Sequence, residues 1–235
     1  MLKFILSLIL FTSIITVPQT KDPDEILDRV KDRFKKVKDY EVDVKIKIDV
    51  DFLKVPENKA KILFKQPDKI RIKSDGFALL PKKGLNFSPV SLLSTNFTSF
   101  YERDEIIDGN NTAVIKVIPL GESPEIVLST IWVDRKSFVI RRVESTTKLE
   151  GTFNINLAYD QKMISDFPLP SSMIFTFDIS KVAIPRGFTG DVSNERQLKK
   201  KNRMTKGTVN IYYSDYKINK GISDKEFMEK ESVEK

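Results

Sequence analysis

Tyr40–Phe52 alternates without interruption. Tyr40, Val42, Val44, Ile46, Ile48, Val50 and Phe52 are apolar, and the six positions between them are all charged. Successive strand side chains point to opposite faces, so the pattern predicts one long strand with an apolar face and a salt-covered face. Lys59–Lys65 and Lys69–Lys73 read as two further strands joined by Gln66-Pro67-Asp68. Pro67 fixes φ for a turn and has no N–H to give a ladder, which suits a hairpin tip. Strands are predicted again over Thr112–Ile118, Glu125–Asp134, Ser137–Glu144, Gly151–Tyr159, Ser172–Val182 and Gly207–Lys217. Turn chemistry separates them at short intervals, as in Asp108-Gly109-Asn110-Asn111, Asp134-Arg135-Lys136 and Glu150-Gly151. Most of these connections are too short for a crossover helix, so the pattern predicts an antiparallel meander.

Ahead of the strands, Asp22-Pro23-Asp24-Glu25 reads as a helix start: a capping aspartate, proline at the first helical position and a glutamate able to complete a capping box. Ile26, Leu27, Val30, Phe34 and Val37 then form one apolar stripe, which predicts an amphipathic helix to about Lys38 that covers the apolar face of the sheet. A membrane-surface helix is the other reading of that stripe. Gly76–Phe100 is apolar but breaks both periodicities and is interrupted by Gly76, Pro81, Gly84 and Pro89; Ser88-Pro89 reads as the start of a short helix over Val90–Ser94. The segment fits a loop packed on the core and equally a lid over a cavity. Ala183–Met204 is a polar, basic excursion, read as a solvated loop or a docking loop, and Glu229–Lys235 as a frayed tail.

Met1–Thr20 has a lysine at position 3 and a mostly apolar run over Phe4–Val17, too short to span a bilayer and suited to the hydrophobic region of a secretory leader. No A-x-A pattern occurs near Val17–Thr20, so cleavage and retention as an anchor both stay open. From residue 21 onward the chain reads as a single domain, residues 21–235. With export, the expected location is the periplasm.

The chain contains neither Cys nor His. That removes thiol nucleophiles, disulfides, Cys/His zinc sites, imidazole acid–base chemistry and an N-terminal lipid anchor on cysteine. Ser129 and the other serines have no histidine to activate them, which leaves a lysine base as the remaining route; carboxylates such as Asp104, Glu105 and Asp108 read as a solvated face. No nucleophile elbow, phosphate loop or zinc spacing is present. No enzyme, metal or cofactor is expected. The net charge of +7 is read as spread along the chain and makes anionic surfaces candidate partners. Lys199-Lys200-Lys201-Asn202-Arg203 with Tyr212, Tyr213 and Tyr216 would suit single-stranded nucleic acid, but an exported chain leaves most nucleic acid behind, so none is expected as a partner.

The order of parts, with Phe64-Lys65-Gln66-Pro67-Asp68-Lys69-Ile70-Arg71 near the start and Tyr213-Ser214-Asp215-Tyr216-Lys217-Ile218-Asn219 and Gly221–Phe227 near the end, resembles the periplasmic lipoprotein carriers of the LolA/LolB-like superfamily. The resemblance covers nearly the whole chain after the leader. It implies an α+β, mainly β fold: a large curved antiparallel sheet, an unclosed half-barrel, whose concave apolar face is covered by the N-terminal helix and a short helical lid. It implies a carrier, expected as a monomer, that holds acyl chains of a lipid or lipoprotein. An inner-membrane donor complex, an outer-membrane acceptor and peripheral membrane contact are the partners it implies. A lipid-sensing or protein-interaction module of the same fold is the alternative. Family carriers often hold an arginine directly before the turn proline; here Gln66 stands there, with Lys65 before it and Pro67 after.

Acyl chains bind an apolar concavity by leaving water, about 0.8 kcal/mol for each fully buried CH₂. Alternation nominates Val44, Ile46, Ile48 and Val50 on the first long strand, and Phe64, Ile70 and Ile72 on the next hairpin. Val117, Ile131, Val133, Phe175 and Phe177 are further wall candidates, and Leu79, Leu80, Leu92 and Leu93 are lid candidates. Each of these positions also fits an ordinary packed core. Trp132, the only tryptophan, reads as core with a possible use as a reporter of ligand.

Overall fold

The strongest local signals become the frame of the structure. The computed structural model describes residues 20–50, 53–54, 56–74, 93, 96–120, 125–149, 151–178 and 206–228. Helix α1 spans Pro23–Phe34, and the strands are β1 (Asp39–Val50), β2 (Leu53–Lys54), β3 (Asn58–Lys65), β4 (Lys69–Lys73), β5 (Phe97–Ile107), β6 (Asn110–Pro119), β7 (Ile126–Asp134), β8 (Ile140–Thr147), β9 (Thr152–Ala158), β10 (Ser172–Asp178) and β11 (Lys206–Ile218). All neighbouring strands pair antiparallel, in the order β4-β3-β1-β11-β10-β9-β8-β7-β6-β5, with β2 paired to the end of β1. From β5 to β11 this is the expected meander. The first long strand then pairs with the last, through registers such as Ile46 with Ile211, and joins the two ends of the chain in the middle of the sheet. The sheet is not closed: β4 and β5 are its free edges.

Helix α1 starts as read, with the Asp22 carboxylate accepting from Asp24 N–H and Pro23 in the first turn. The capping box does not form. Asp22 N–H donates to Thr20 Oγ1 at 3.1 Å, and Glu25 pairs instead with Arg29 one turn on. The helix also ends earlier than its apolar stripe suggests. After Phe34 the chain turns so that Val37 reaches the core, and the side-chain amide of Gln66 donates to the carbonyls of Val37, at 2.7 Å, and Phe34, at 3.2 Å. A side-chain donor at those carbonyls takes the place of another helical turn.

Strand β5 corrects the sequence reading, which placed Phe97 and Phe100 in an irregular segment. It is an edge strand, paired on one side only and bulged between Tyr101 and Arg103, so neither face carries a clean apolar repeat. Strand β8 begins at Ile140 rather than Ser137, because Asp134 closes the preceding turn by accepting from Lys136 and Ser137 N–H at 2.8 and 2.9 Å. Asp108 and Gly109, with φ of 48° and 75°, form the expected tight hairpin turn.

One core occupies the face of the sheet that carries α1. Ile26, Leu27 and Val30 of the helix meet Val42, Val44, Ile46, Ile62, Ile115, Ile131, Val133, Val143 and Ile155 of the strands. The opposite, outer face carries the charges: Lys61 and Lys217 hold Glu41 at 2.7 and 2.9 Å. The 3-10 turn Asp224–Phe227 lies against the outer side of β3 and β4, with Lys65 and Lys69 paired to Asp224 and Lys73 to Glu226. Residues 1–19, 183–204 and 229–235, read as leader, basic excursion and tail, lie outside the described residues.

Candidate functional site

The two ends of the sheet differ. At one end lie the β3–β4, β5–β6 and β7–β8 turns, the close of α1 and the loop 159–171. At the other lie the connections that follow β1, β4, β6, β8 and β10. Helix α1 bridges the sheet toward the first end, from β5, where Ser99 donates to Asp24, to β3, where Phe34 meets Phe64 edge-on at 5.5 Å. Its two ends are pinned there: Arg135, salt-bridged to Asp104 at 2.7 Å, donates to Thr20 O, and Arg33 donates to Ile164 O. Tyr40 stacks on Phe64 at 5.1 Å and meets Tyr216 at 5.6 Å, and the Tyr216 and Tyr159 hydroxyls donate to Pro170 O and Ile140 O, both at 2.8 Å. Burial pushes the phenols of Tyr40, Tyr159, Tyr213 and Tyr216 up, so all four stay neutral. This is the closed half of the inner face.

Strand register orders the remainder into rows. Through the middle run Ile48, Val209, Phe175, Ile155, Val143, Ile131, Ile115 and Tyr101, one residue from each of eight neighbouring strands. The next row toward the open end runs Gly207, Phe177, Phe153, Ser145, Ser129, Val117 and Ser99. Phe153, Phe175 and Phe177 are half-buried and form a tilted ring ladder, with centroids 5.4 and 5.3 Å apart. Beside them Ser129 and Ser145 are buried and hydrogen-bonded to each other at 2.7 Å, which satisfies both hydroxyls within an otherwise apolar face.

The nominated wall residues separate by depth. Val44, Ile46, Val117, Ile131 and Val133 are buried on the inner face with α1 packed among them. Phe64 is buried at the closed end, in the aromatic cluster. Ile48, Val50, Ile70, Ile72, Phe175 and Phe177 are half-buried, and all except Val50 pack against the core cluster. Leu93 is buried in the same core, whereas Leu79, Leu80 and Leu92 lie outside the described residues. The motif turn stands at the closed end: Gln66 caps α1, and Lys65 Nζ donates to Ile222 O and Asp224 at 2.9 and 2.8 Å. Sequence reasoning left out Phe153, Val209 and Tyr101. The alternation of Phe153, Ile155 and Leu157 on β9 already marked the first of these as inner-facing. Trp132 is on the other face, packed with Val114 and Ile107 under the Arg142 guanidinium, 5.4 Å from the ring. It is part of a small outer cluster and has no place in the wall.

An antiparallel sheet of this order, not closed on itself, superposes on solved structures. A LolA superfamily protein from Nitrosomonas europaea superposes with a TM-score of 0.56 at 14% identity, over 88% of this chain and 97% of that one. The two chains share a fold. A putative outer membrane lipoprotein-sorting protein domain from Vibrio parahaemolyticus gives 0.57 at 12% identity, over 86% of this chain and 94% of that one. A DUF1329 family protein from Desulfovibrio piger gives 0.56 at 12% identity, over 90% and 98%. No protein-family model and no curated protein matches the sequence. The likeness therefore lies in the fold. Among the described residues, no group of acidic side chains could hold a metal ion, and no helix is long and apolar enough to cross a membrane.

Proposed function

We propose that this protein is an exported, periplasmic carrier that holds the acyl chains of a lipid or lipoprotein against the open half of its inner face. The observation that supports this most is the half-buried ladder Phe153–Phe175–Phe177, with Ile48 in the same row as Phe175, at the end of the sheet opposite the close of α1. Burying about fifteen methylenes would contribute roughly 12 kcal/mol, and after association and ordering costs of at least about 4 kcal/mol that leaves reversible micromolar-range binding with no directed chemistry. The fold agrees with this reading, since two of the similar structures are described as a LolA superfamily protein and a lipoprotein-sorting domain. An inner-membrane donor and an outer-membrane acceptor are the partners such a carrier requires.

The test is uptake of a fluorescent long-chain fatty acid, with native mass spectrometry of the protein purified from its own envelope fraction. Phe177→Glu places a carboxylate at the open end of the ladder and is expected to weaken uptake more than tenfold, with circular dichroism unchanged. Phe100→Glu, on the exposed outer side of β5, is the control and leaves uptake as it was. Equal uptake by a folded Phe177→Glu protein would remove the ladder from the site. Absence of lipid in both assays would leave an envelope protein-interaction module of this fold as the reading.

A further inference from the structure

The outer face of the sheet is charged on both flanks of its middle and uncharged between them. On β1 every outward position from Glu41 to Asp49 is charged, and on β8 Arg142 and Glu144 point the same way. Between these two strands, every outward position of β9 from Thr152 to Ala158, of β10 from Ser172 to Thr176 and of β11 from Thr208 to Tyr212 is uncharged. In a chain that is 31% charged, a solvent face three strands wide without one charge suits a ligand better than it suits plain solvation. Its polar groups are amides and hydroxyls. Asn154, Asn156 and Asn210 stand in strand interiors, where asparagine is disfavoured, so strand formation alone does not account for them.

Asn156 and Asn210 lie in one row, on either side of Ile174, roughly 10 Å apart at the ordinary strand spacing. Arg142 Nε donates to Asn156 Oδ1 at 2.9 Å, which orients that amide and leaves its NH2 group as a donor. The side-chain amides of Asn154 and Asn210 are half-buried and have no hydrogen-bond partner among the described residues. In the adjoining row, beside Ser172, the Tyr212 side chain is 50% exposed. One open ring among amides that both donate and accept matches a sugar: its C–H face packs on the ring, and its hydroxyls, donors and acceptors at once, pair with the amides. Phosphate-bearing ligands and anionic membranes need cations; these spans offer none outward, and the charges that flank them are mixed in sign. A protein partner would need a cluster of apolar anchors, and the platform has only Tyr212 and Ile174.

We propose that the outer face of β9, β10 and β11 is a binding platform for a neutral glycan chain, with Tyr212 stacking on one sugar and Asn154, Asn156 and Asn210 bonding the hydroxyls of its neighbours. This goes beyond the carrier reading, since the platform lies on the face opposite the ring ladder and needs no lipid there.

The test is isothermal titration calorimetry of the full chain with two neutral hexasaccharides, one of glucose and one of N-acetylglucosamine. Saturable binding of at least one is expected, equal at low and high salt. Tyr212→Ala should weaken it about tenfold, and Tyr212→Phe should keep most of it, since the ring does the stacking. Asn210→Val should weaken it about fivefold with the Tm unchanged or raised, because valine suits a strand better; weaker binding by a protein of equal or higher Tm cannot come from a damaged fold. Phe100→Ala, which removes an exposed ring on the outer side of β5, is the control and leaves binding as it was. The proposal is overturned by no binding of either hexasaccharide, by equal binding to the Tyr212→Ala protein, or by tighter binding of heparin or of phosphatidylglycerol vesicles, which would give the face to a polyanion or a membrane. Fatty-acid uptake is read in parallel. Uptake without sugar binding defeats the platform and leaves the carrier reading, and sugar binding without uptake does the reverse.

Discussion

Glu41 shows how the outer face uses its charges. Hydrogen bonds from Lys61 and then Lys217 hold its carboxyl down to about 2, against an ordinary 4.5. A depressed folded-state value means that the stabilisation is complete above the ordinary range and is lost as pH falls from there toward 2. Glu41→Gln is expected to lower the Tm slightly at neutral pH and to reduce the steepness of acid destabilisation between about pH 5 and 2, read from thermal melts across that range. Asp134 is a buried counterpart. Burial alone would raise its carboxyl, but the N–H groups of Ser137 and Lys136 and the Arg141 guanidinium, at 2.7 Å, hold it below its usual value. The sequence identified the Asp134 turn. It gave no sign that Arg141, seven residues on, would return to the same carboxylate, because that pairing needs the hairpin to be folded.

Among the elements, α1 was the most legible. Its cap, its first-turn proline and its buried stripe are local features, and the structure keeps all three. Its C-terminal boundary was set from outside, by the amide of Gln66, a residue 32 positions after Phe34. Gln66→Ala should leave the Val37 carbonyl without its donor, while Phe34 O keeps the Val37 N–H at 2.9 Å, and cost about 1 kcal/mol, a drop of a few degrees in Tm for a chain of this size. Urea melts would measure it, and an unchanged midpoint would show that water replaces the amide fully. Strand β5 was the least legible element. An edge strand makes only half the contacts of a central one and is under less pressure to alternate, so its sequence carries little of the pattern that exposed β1.

For the whole molecule, the two faces of the sheet separate stability from proposed function. Trp132 lies on the outer face, in its own cluster with Val114 and Ile107, and the ring ladder lies on the inner one. Saturating the protein with fatty acid is therefore expected to leave Trp132 emission unchanged in wavelength. A clear blue shift would place the acyl chain on the wrong side of the sheet or require the whole sheet to rearrange. Alternation along Tyr40–Val50 determined that one face would be oily and the other charged, since a period of two fixes facing within a strand. The sequence alone also settled that no thiol or imidazole chemistry takes place, because neither side chain exists in the chain. Which oily residues became core and which stayed half-open was decided only by the fold. Ile46 and Ile48 are two residues apart on the same face, yet Ile46 is buried and Ile48, one step further from the close of α1, is only half-buried. That difference depends on where a helix is pinned across the sheet by Arg135, Arg33 and Gln66, and long-range pinning leaves no periodic trace in the chain.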